Sequence, residues 1–381
     1  MQLISHMNTF AKTLQWYDWS AIRTLRVQGE IRGNHYVMGS GKTTSFDIAH
    51  RAGVSQATVS RALRDSPLVN PETRKRVQRI AREMNYRVNR NAAGLRSQMS
   101  KTIALLLFED PTTDDSQINS FFLPMISHIT RIAAAEGYDV LVSFQQLSDD
   151  WLHEYQVSNR ADGMILLGYG DYRTISGKLQ SLRDSGAHFI IYGAMTPELE
   201  GHAVGAPNVE GGEMATRHLL GLGRTQIAFI GDADEDCPEF TERFEGYRRA
   251  LKAAGLPAKD ELHIKTTNQE TAGYDAAKKL LDSGQAFDGI FAATDLIAFG
   301  VLKCLRKSGI AVPGDVSVVG FDDLPAASYF SPSLTTVRQD TRLASRALVQ
   351  NLLHMVNGEP IESQELPLSL IVRGSCGGRK P

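Results

Sequence analysis

The 381-residue chain carries 41 Lys+Arg against 43 Asp+Glu, a net charge of -2, with 42% hydrophobic and 22% charged residues, a balance that excludes a disordered or collagen-like polypeptide. No run approaches the roughly 18 apolar residues of a membrane helix, and no apolar block with a small-residue cleavage site opens the chain, so a cytoplasmic protein without membrane contact is expected. The length exceeds the ~250–300 residues at which a single core stops growing, so at least two domains are expected. Residues 1–41 show no clean apolar period around Trp16, Tyr17 and Trp19. They are expected to form no packed domain, and translation is expected to begin near Met38. Gly39-Ser40-Gly41-Lys42-Thr43 invites a phosphate-loop reading, but the motif needs a glycine six residues before the lysine, where Tyr36 stands.

Charge is segregated. Residues 42–98 hold 12 Lys+Arg and 4 Asp+Glu, whereas residues 99–381 hold 25 and 37. A basic module beside an acidic body is the footprint of a polyanion binder, although a basic coat on one solvated helix would give the same count. Four short helices are expected here. Thr44 and Asp47 make a capping pair for a helix through Ala52, and Gly53 stops it. Ser55 caps a second helix from Gln56 to Arg64 with Val59, Ala62 and Leu63 on one stripe. Asn70-Pro71-Glu72 starts a third, in which Val77, Ile80, Ala81 and Met84 recur at helical spacing. A fourth, Asn89 to Leu95, has few large apolar residues, and Gly94 costs it about 1 kcal/mol relative to alanine, so it is unstable alone.

The first two helices fit a helix-turn-helix. Ala49 is small where the helices cross, Gly53 permits the turn, and Val54, Val59 and Leu63 close the inner face. The outer face of the second helix then presents Gln56, Ala57, Ser60 and Arg61. Such a set can read base edges: glutamine toward adenine, alanine against a thymine methyl, arginine bidentate to guanine.

Beyond Lys101 short apolar runs alternate with amphipathic stretches. Strands are expected at 103–108, 138–144, 163–167, 189–192, 226–230, 287–292 and 316–320, and helices at 122–136, 175–185, 211–222, 240–254, 271–283 and 295–308. The alternation predicts parallel sheets covered by helices, and the length predicts two lobes with a cleft beyond the strand carboxyl ends. The cysteines, Cys237, Cys304 and Cys376, are far apart and form no CxxC pair, so no disulfide framework or zinc site is indicated. The histidines have no metal spacing, and no nucleophile–base group stands out. No cofactor, metal or catalytic site is expected, and the chain is read as not an enzyme.

Ala52-Gly53-Val54-Ser55, Thr58-Val59-Ser60-Arg61, Glu72-Thr73-Arg74, Asn85-Tyr86 with Asn89-Arg90 and Leu95, Val318-Val319-Gly320-Phe321-Asp322-Asp323 and Leu334-Thr335-Thr336-Val337-Arg338-Gln339-Asp340 carry a resemblance. On these strings the sequence, from about Thr44 to Arg373, resembles the LacI/GalR family of bacterial transcription regulators. It implies an all-α helix-turn-helix headpiece (42–88), a hinge helix and linker (89–101), an α/β two-lobed periplasmic-binding-protein-like core with three crossings that also dimerises (102–373), and a flexible tail (374–381). The implied partners are a palindromic operator, a second copy of the chain, and a small effector, a mono- or disaccharide. The residues it places at DNA are Thr44, Ser55, Gln56, Ala57, Thr58, Ser60, Arg61, Asn70 and Tyr86, with Asn89, Arg90, Ala92 and Leu95 on a hinge helix that wedges the minor groove. Val88 stands where the family usually has proline, and Leu95 could instead be plain core.

In the cleft, the resemblance points to Arg243, Asp322 and Thr294 facing the effector, with Phe121, Phe122 or Tyr192 stacking on a sugar face. Arginine and carboxylate groups bind vicinal hydroxyls through charge-assisted hydrogen bonds. Thr294 and Gly193 stand where family members commonly have Asn and Asp; the lesser alternatives are a surface ion pair of Arg243 with Glu242 or Asp236, and Asp322 as a loop cap. The function implied is an effector-controlled repressor of carbohydrate uptake or breakdown genes; the competing reading is a sugar receptor with no regulatory role.

Overall fold

A computed structural model describes residues 43–86, 99–107, 118–144, 150–168, 172–233 and 237–378. They fall into two compact units that divide at position 88/89. Within the first unit, α1 (Ser45–Ala52), α2 (Gln56–Leu63) and α3 (Pro71–Glu83) start and stop where local chemistry dictates. Thr44 and Asp47 close a reciprocal capping box, and Gly53 takes the left-handed conformation at φ 60°, which a side chain would strain. Ser55 caps α2 by accepting from the Thr58 amide, and Asn70 caps α3 by accepting from the Glu72 amide. Ile48, Ala49, Ala52, Val59, Ala62, Val77, Ile80 and Ala81 are buried together, so each helix hides one face against the other two. Val54 and Leu63, expected on the inner face, are half-buried at its margin. The expected fourth helix lies outside the described residues.

The second unit has two six-stranded sheets. The first contains β1 (Thr102–Leu107), β2 (Asp139–Phe144), β3 (Gly163–Leu167), β4 (Phe189–Tyr192), β5 (Ala203–Gly205) and β11 (Gln364–Glu365), all paired in parallel. The second contains β6 (Ile227–Ile230), β7 (His263–Ile264), β8 (Gly289–Ala292), β9 (Ser317–Asp322), β10 (Thr335–Gln339) and β12 (Leu368–Ile371). Only β12 runs antiparallel there, against β10. The central strands are buried throughout, as strands covered on both faces must be.

The covering helices are α4 (Phe122–Ala135), α5 (Tyr172–Asp184), α6 (Asn208–Gly221), α7 (Pro238–Ala253), α8 (Glu270–Asp282), α9 (Asp295–Lys307) and α10 (Thr341–Val356). The chain changes sheet three times: between β5 and β6, between β10 and β11, and between β11 and β12. The structure thus has the expected two lobes.

One sequence expectation is corrected. Residues 374–378 do not form a flexible tail: Ser375 and Cys376 are buried, and the Ser375 hydroxyl donates to the Val318 carbonyl (2.6 Å) while accepting from the Thr335 amide (2.8 Å). These bonds seal the start of β10 and outweigh the conformational freedom of the flanking glycines. The core therefore runs beyond Arg373.

One contact between helices fixes the site described next. Where α6 crosses α7, a Cβ on Gly212 would lie 2.1 Å from the Arg243 carbonyl oxygen, and one on Gly246 would lie 2.1 Å from that of Val209. Two glycines let the backbones touch, which carries Arg243 inward next to Asn208.

Candidate DNA-binding and effector sites

On the headpiece, Ala57 and Arg61 of α2 are exposed, and Gln56 and Ser60 are half-buried beside them. Gln56 is not idle: its Nε2 donates to Ser45 Oγ at 2.8 Å, so the amide is oriented by α1 before it meets any ligand. Ser60 Oγ accepts from Arg64 NH2 at 3.0 Å, and Ser55 and Thr58 share a hydroxyl pair at 2.9 Å. Thr44 and Asn70 are exposed but engaged as caps, and Tyr86 packs partly against the three-helix core. Arg51, Arg61, Arg64, Lys75, Arg76, Arg79 and Arg82 are all exposed. Arg51 pairs with Glu83 at 3.6 Å, a surface contact of little energetic weight. The unit is thus a rigid scaffold with one polar helix face and a strong positive field. Asn89, Arg90, Ala92 and Leu95 lie outside the described residues.

In the core, polar side chains converge at the carboxyl ends of the parallel strands, where ligands of such folds bind. Arg243 is fully buried, which overturns the surface ion-pair alternative. Its Nε donates to Asn208 Oδ1 (3.0 Å), its NH1 donates to the Ala293 carbonyl (2.8 Å), and its guanidinium lies 3.8 Å from the centre of the Phe321 ring. Asp322 Oδ1 stands 4.0 Å from Arg243 NH1 and accepts from Gln339 Nε2 at 2.8 Å. Gln339 Oε1 in turn accepts from the Tyr192 hydroxyl at 2.6 Å. Tyr192 ends β4 in one lobe and Asp322 ends β9 in the other, so the Gln339 amide bridges the lobes. A second bridge is the Ala194 amide, which donates to Glu239 Oε1 at 3.0 Å from the first turn of α7.

Asp322 adopts φ 111° and Asp323 φ 56°, conformations that non-glycine residues rarely take. Asp323 is pinned there by Arg338 and Arg373, each at 2.6 Å. Strain held by ion pairs at the end of a strand marks a position that packing alone would not select.

The sequence-derived set is only partly assembled. Arg243, Asp322 and Tyr192 meet, and Phe121 joins them with its ring 5.8 Å from that of Tyr192. Phe122 stacks edge-on against Phe121 and is buried. Thr294 is turned to structure: it donates to Asn268 Oδ1 (2.7 Å) and caps α9 by accepting from the Ile297 amide. Gln339, Glu239 and Asn208 were missed. Of these only Gln339 sat in a noted motif, and nothing there marked it as a bridge.

A cavity of about 290 Å³ is lined by Phe121, Pro124, Asp322, Leu324, Gln339 and Thr341 among others. A second, of about 470 Å³, is lined by Ser176, Gln180, Thr196, Glu198 and Pro238. Asn119 Nδ2 and Ser120 Oγ, next to Phe121, are buried polar atoms without a hydrogen-bond partner among the described residues. Such groups suit a hydroxyl-bearing guest, which would complete their bonding.

Burial pushes the Asp322 carboxyl up to about 6, against the opposing pull of Arg243 and Gln339. Burial also raises Glu239. A carboxyl raised in the folded state binds more protons there than in the unfolded chain, so its contribution to stability is full below the unfolded value near 4 and is lost as pH rises through about 6. Thermal unfolding should therefore show a core that gains stability on acidification from pH 7 to 5, with a shallower gain in Asp322→Asn. An equal slope in the two proteins would remove Asp322 from this account.

Comparison with known proteins agrees with both units. Residues 46–89 match the family of bacterial regulatory proteins of the lacI type, and residues 216–376 match a periplasmic binding protein-like domain. The HTH-type transcriptional regulator CelR of Thermobifida fusca is 31% identical over 334 residues, covering 86% of this chain and 96% of CelR. The structure of a transcriptional regulator CelR–cellobiose complex is 30% identical, with a TM-score of 0.65 over 87% of this chain and 99% of that one. The lac repressor dimer bound to operator and the anti-inducer ONPF is 25% identical, with a TM-score of 0.75 over 88% of this chain and 99% of that one.

Proposed function

Because the chain belongs to the lacI family of bacterial regulatory proteins, we propose that this DNA-binding transcriptional regulator acts as a homodimeric cytoplasmic repressor of carbohydrate uptake or breakdown genes. A mono- or disaccharide in the cleft between the lobes sets its grip on a near-palindromic operator. The observation that carries the effector half is the buried Tyr192–Gln339–Asp322–Arg243 chain, which spans both lobes beside a cavity. A guest that bonds to Asp322 or Tyr192 must re-form that chain, and its binding energy is then coupled to how the lobes sit.

On the DNA side, Gln56, Ala57 and Arg61 read the major groove, and the weak segment around Asn89 to Leu95 orders against its dimer mate in the minor groove. A connector too weak to fold alone suits a switch, since small changes in the core decide whether it is ordered. Arg61→Ala should cost about 1–3 kcal/mol of discrimination at one base pair per half-site. Titration of operators mutated one base pair at a time checks this, and equal weakening on every sequence would reduce Arg61 to a phosphate contact.

The test of the whole reading is a gel shift on the palindrome nearest the chain's own gene. Tight binding that falls steeply with salt supports it. Sugar binding without DNA binding would favour a receptor with no regulatory role, a reading that leaves the charge excess of residues 42–98 unexplained.

A further inference from the structure

We infer that the effector carries no negative charge: the cleft takes an uncharged or amine-bearing polyol and rejects sugar phosphates and uronic acids. The inference rests on the sugar-effector reading above and sharpens it. An anionic guest needs cationic or amide donors available to it. Arg243 is the cation at the polar centre, and its guanidinium is already engaged by Asn208, the Ala293 carbonyl and the Phe321 face, with Asp322 close by. Facing it, Asp322 and Glu239 are both buried carboxyl groups.

The cavities repeat the pattern. Among the described residues, the lining of the 290 Å³ cavity contains Asp322, Asp323, Asp340 and a single cation, Arg338, which Asp323 holds at 2.6 Å. Among the described residues, the lining of the 470 Å³ cavity contains Glu198 and neither lysine nor arginine. A phosphate or carboxylate would face buried carboxyl groups in a low-dielectric site whose described cations, Arg243 and Arg338, are already engaged. A hydroxyl or ammonium group would instead donate to Glu239 or Asp322.

Isothermal titration of the full chain against matched series tests this. Each neutral sugar (glucose, galactose, mannose, ribose, cellobiose) is compared with its available amine, phosphate and uronate forms. The expected result is binding by a neutral or amine form, with the matching phosphate or uronate weaker by about a hundredfold or more. Glu239→Gln should narrow that gap about tenfold, because one of the two buried carboxyl groups is gone. A phosphate or uronate that binds as tightly as its neutral parent overturns the inference, and an unchanged gap in Glu239→Gln removes Glu239 from it. If no form of any sugar binds, the sugar-effector reading itself fails.

Discussion

Arg243→Leu should abolish the response to sugar and lower core stability by about 3–5 kcal/mol, because removing one partner of a buried charged pair leaves the other uncompensated. The residue stranded is Asp322, which keeps its hydrogen bond from the Gln339 amide at 2.8 Å, while Asn208 Oδ1 and the Ala293 carbonyl lose their donor. Operator binding by the variant should persist below its melting temperature, since the headpiece helices pack on a core of their own. Calorimetry of the variant and operator titration with and without sugar read the two effects separately. A stable variant that still responds to sugar would show that Arg243 is neither the anchor of the polar chain nor part of the effector site.

The second large effect is expected from a single methyl group. In Gly246→Ala the new Cβ would start 2.1 Å from the Val209 carbonyl oxygen and 2.7 Å from the Glu213 amide, contacts that no rotamer change can relieve because both partners are backbone. The helices α6 and α7 must part, at a cost of about 3 kcal/mol, the upper end of what overpacking exacts. Arg243, one turn before Gly246, shifts with α7 and loosens from Asn208 on α6. Effector affinity should therefore fall along with stability although the substituted atom touches no part of the site. Stability unchanged in thermal unfolding would mean that the helix crossing is softer than its spacing implies.

Elements with a clear period were readable. The capped helices of the headpiece and the strands Gly163–Leu167 and Phe189–Tyr192 stand where apolar spacing and caps put them. The strand Thr335–Gln339 was not readable from hydropathy, because its buried faces include Thr335, Thr336 and Gln339. These are satisfied by Ser375, Arg373, Asp295 and Asp322, partners far away in sequence. β5, β7 and β11 are two or three residues long, too short to show an alternation. The helix Thr341–Val356 was within reach: Asp340 caps it, and Ala344, Ala347, Leu348 and Leu352 are spaced as one face.

The site divides along the same line. Arg243 and Asp322 are legible as candidates because they sit in strings that resemble the family's. Glu239, Asn208 and the bridging role of Gln339 emerge only when β4, α6, α7, β9 and β10 are brought together. Thr294, another candidate from the resemblance, has its hydroxyl engaged at the start of α9, which sequence does not reveal.

Fluorescence anisotropy of a labelled operator, titrated at fixed salt with the cleft empty and then saturated by the sugar that calorimetry identifies, tests the coupling between cleft and headpiece most directly. The account predicts that the operator isotherm moves by about tenfold or more, a coupling of about 1.4 kcal/mol at least. Superimposable isotherms with the cleft demonstrably full would contradict it.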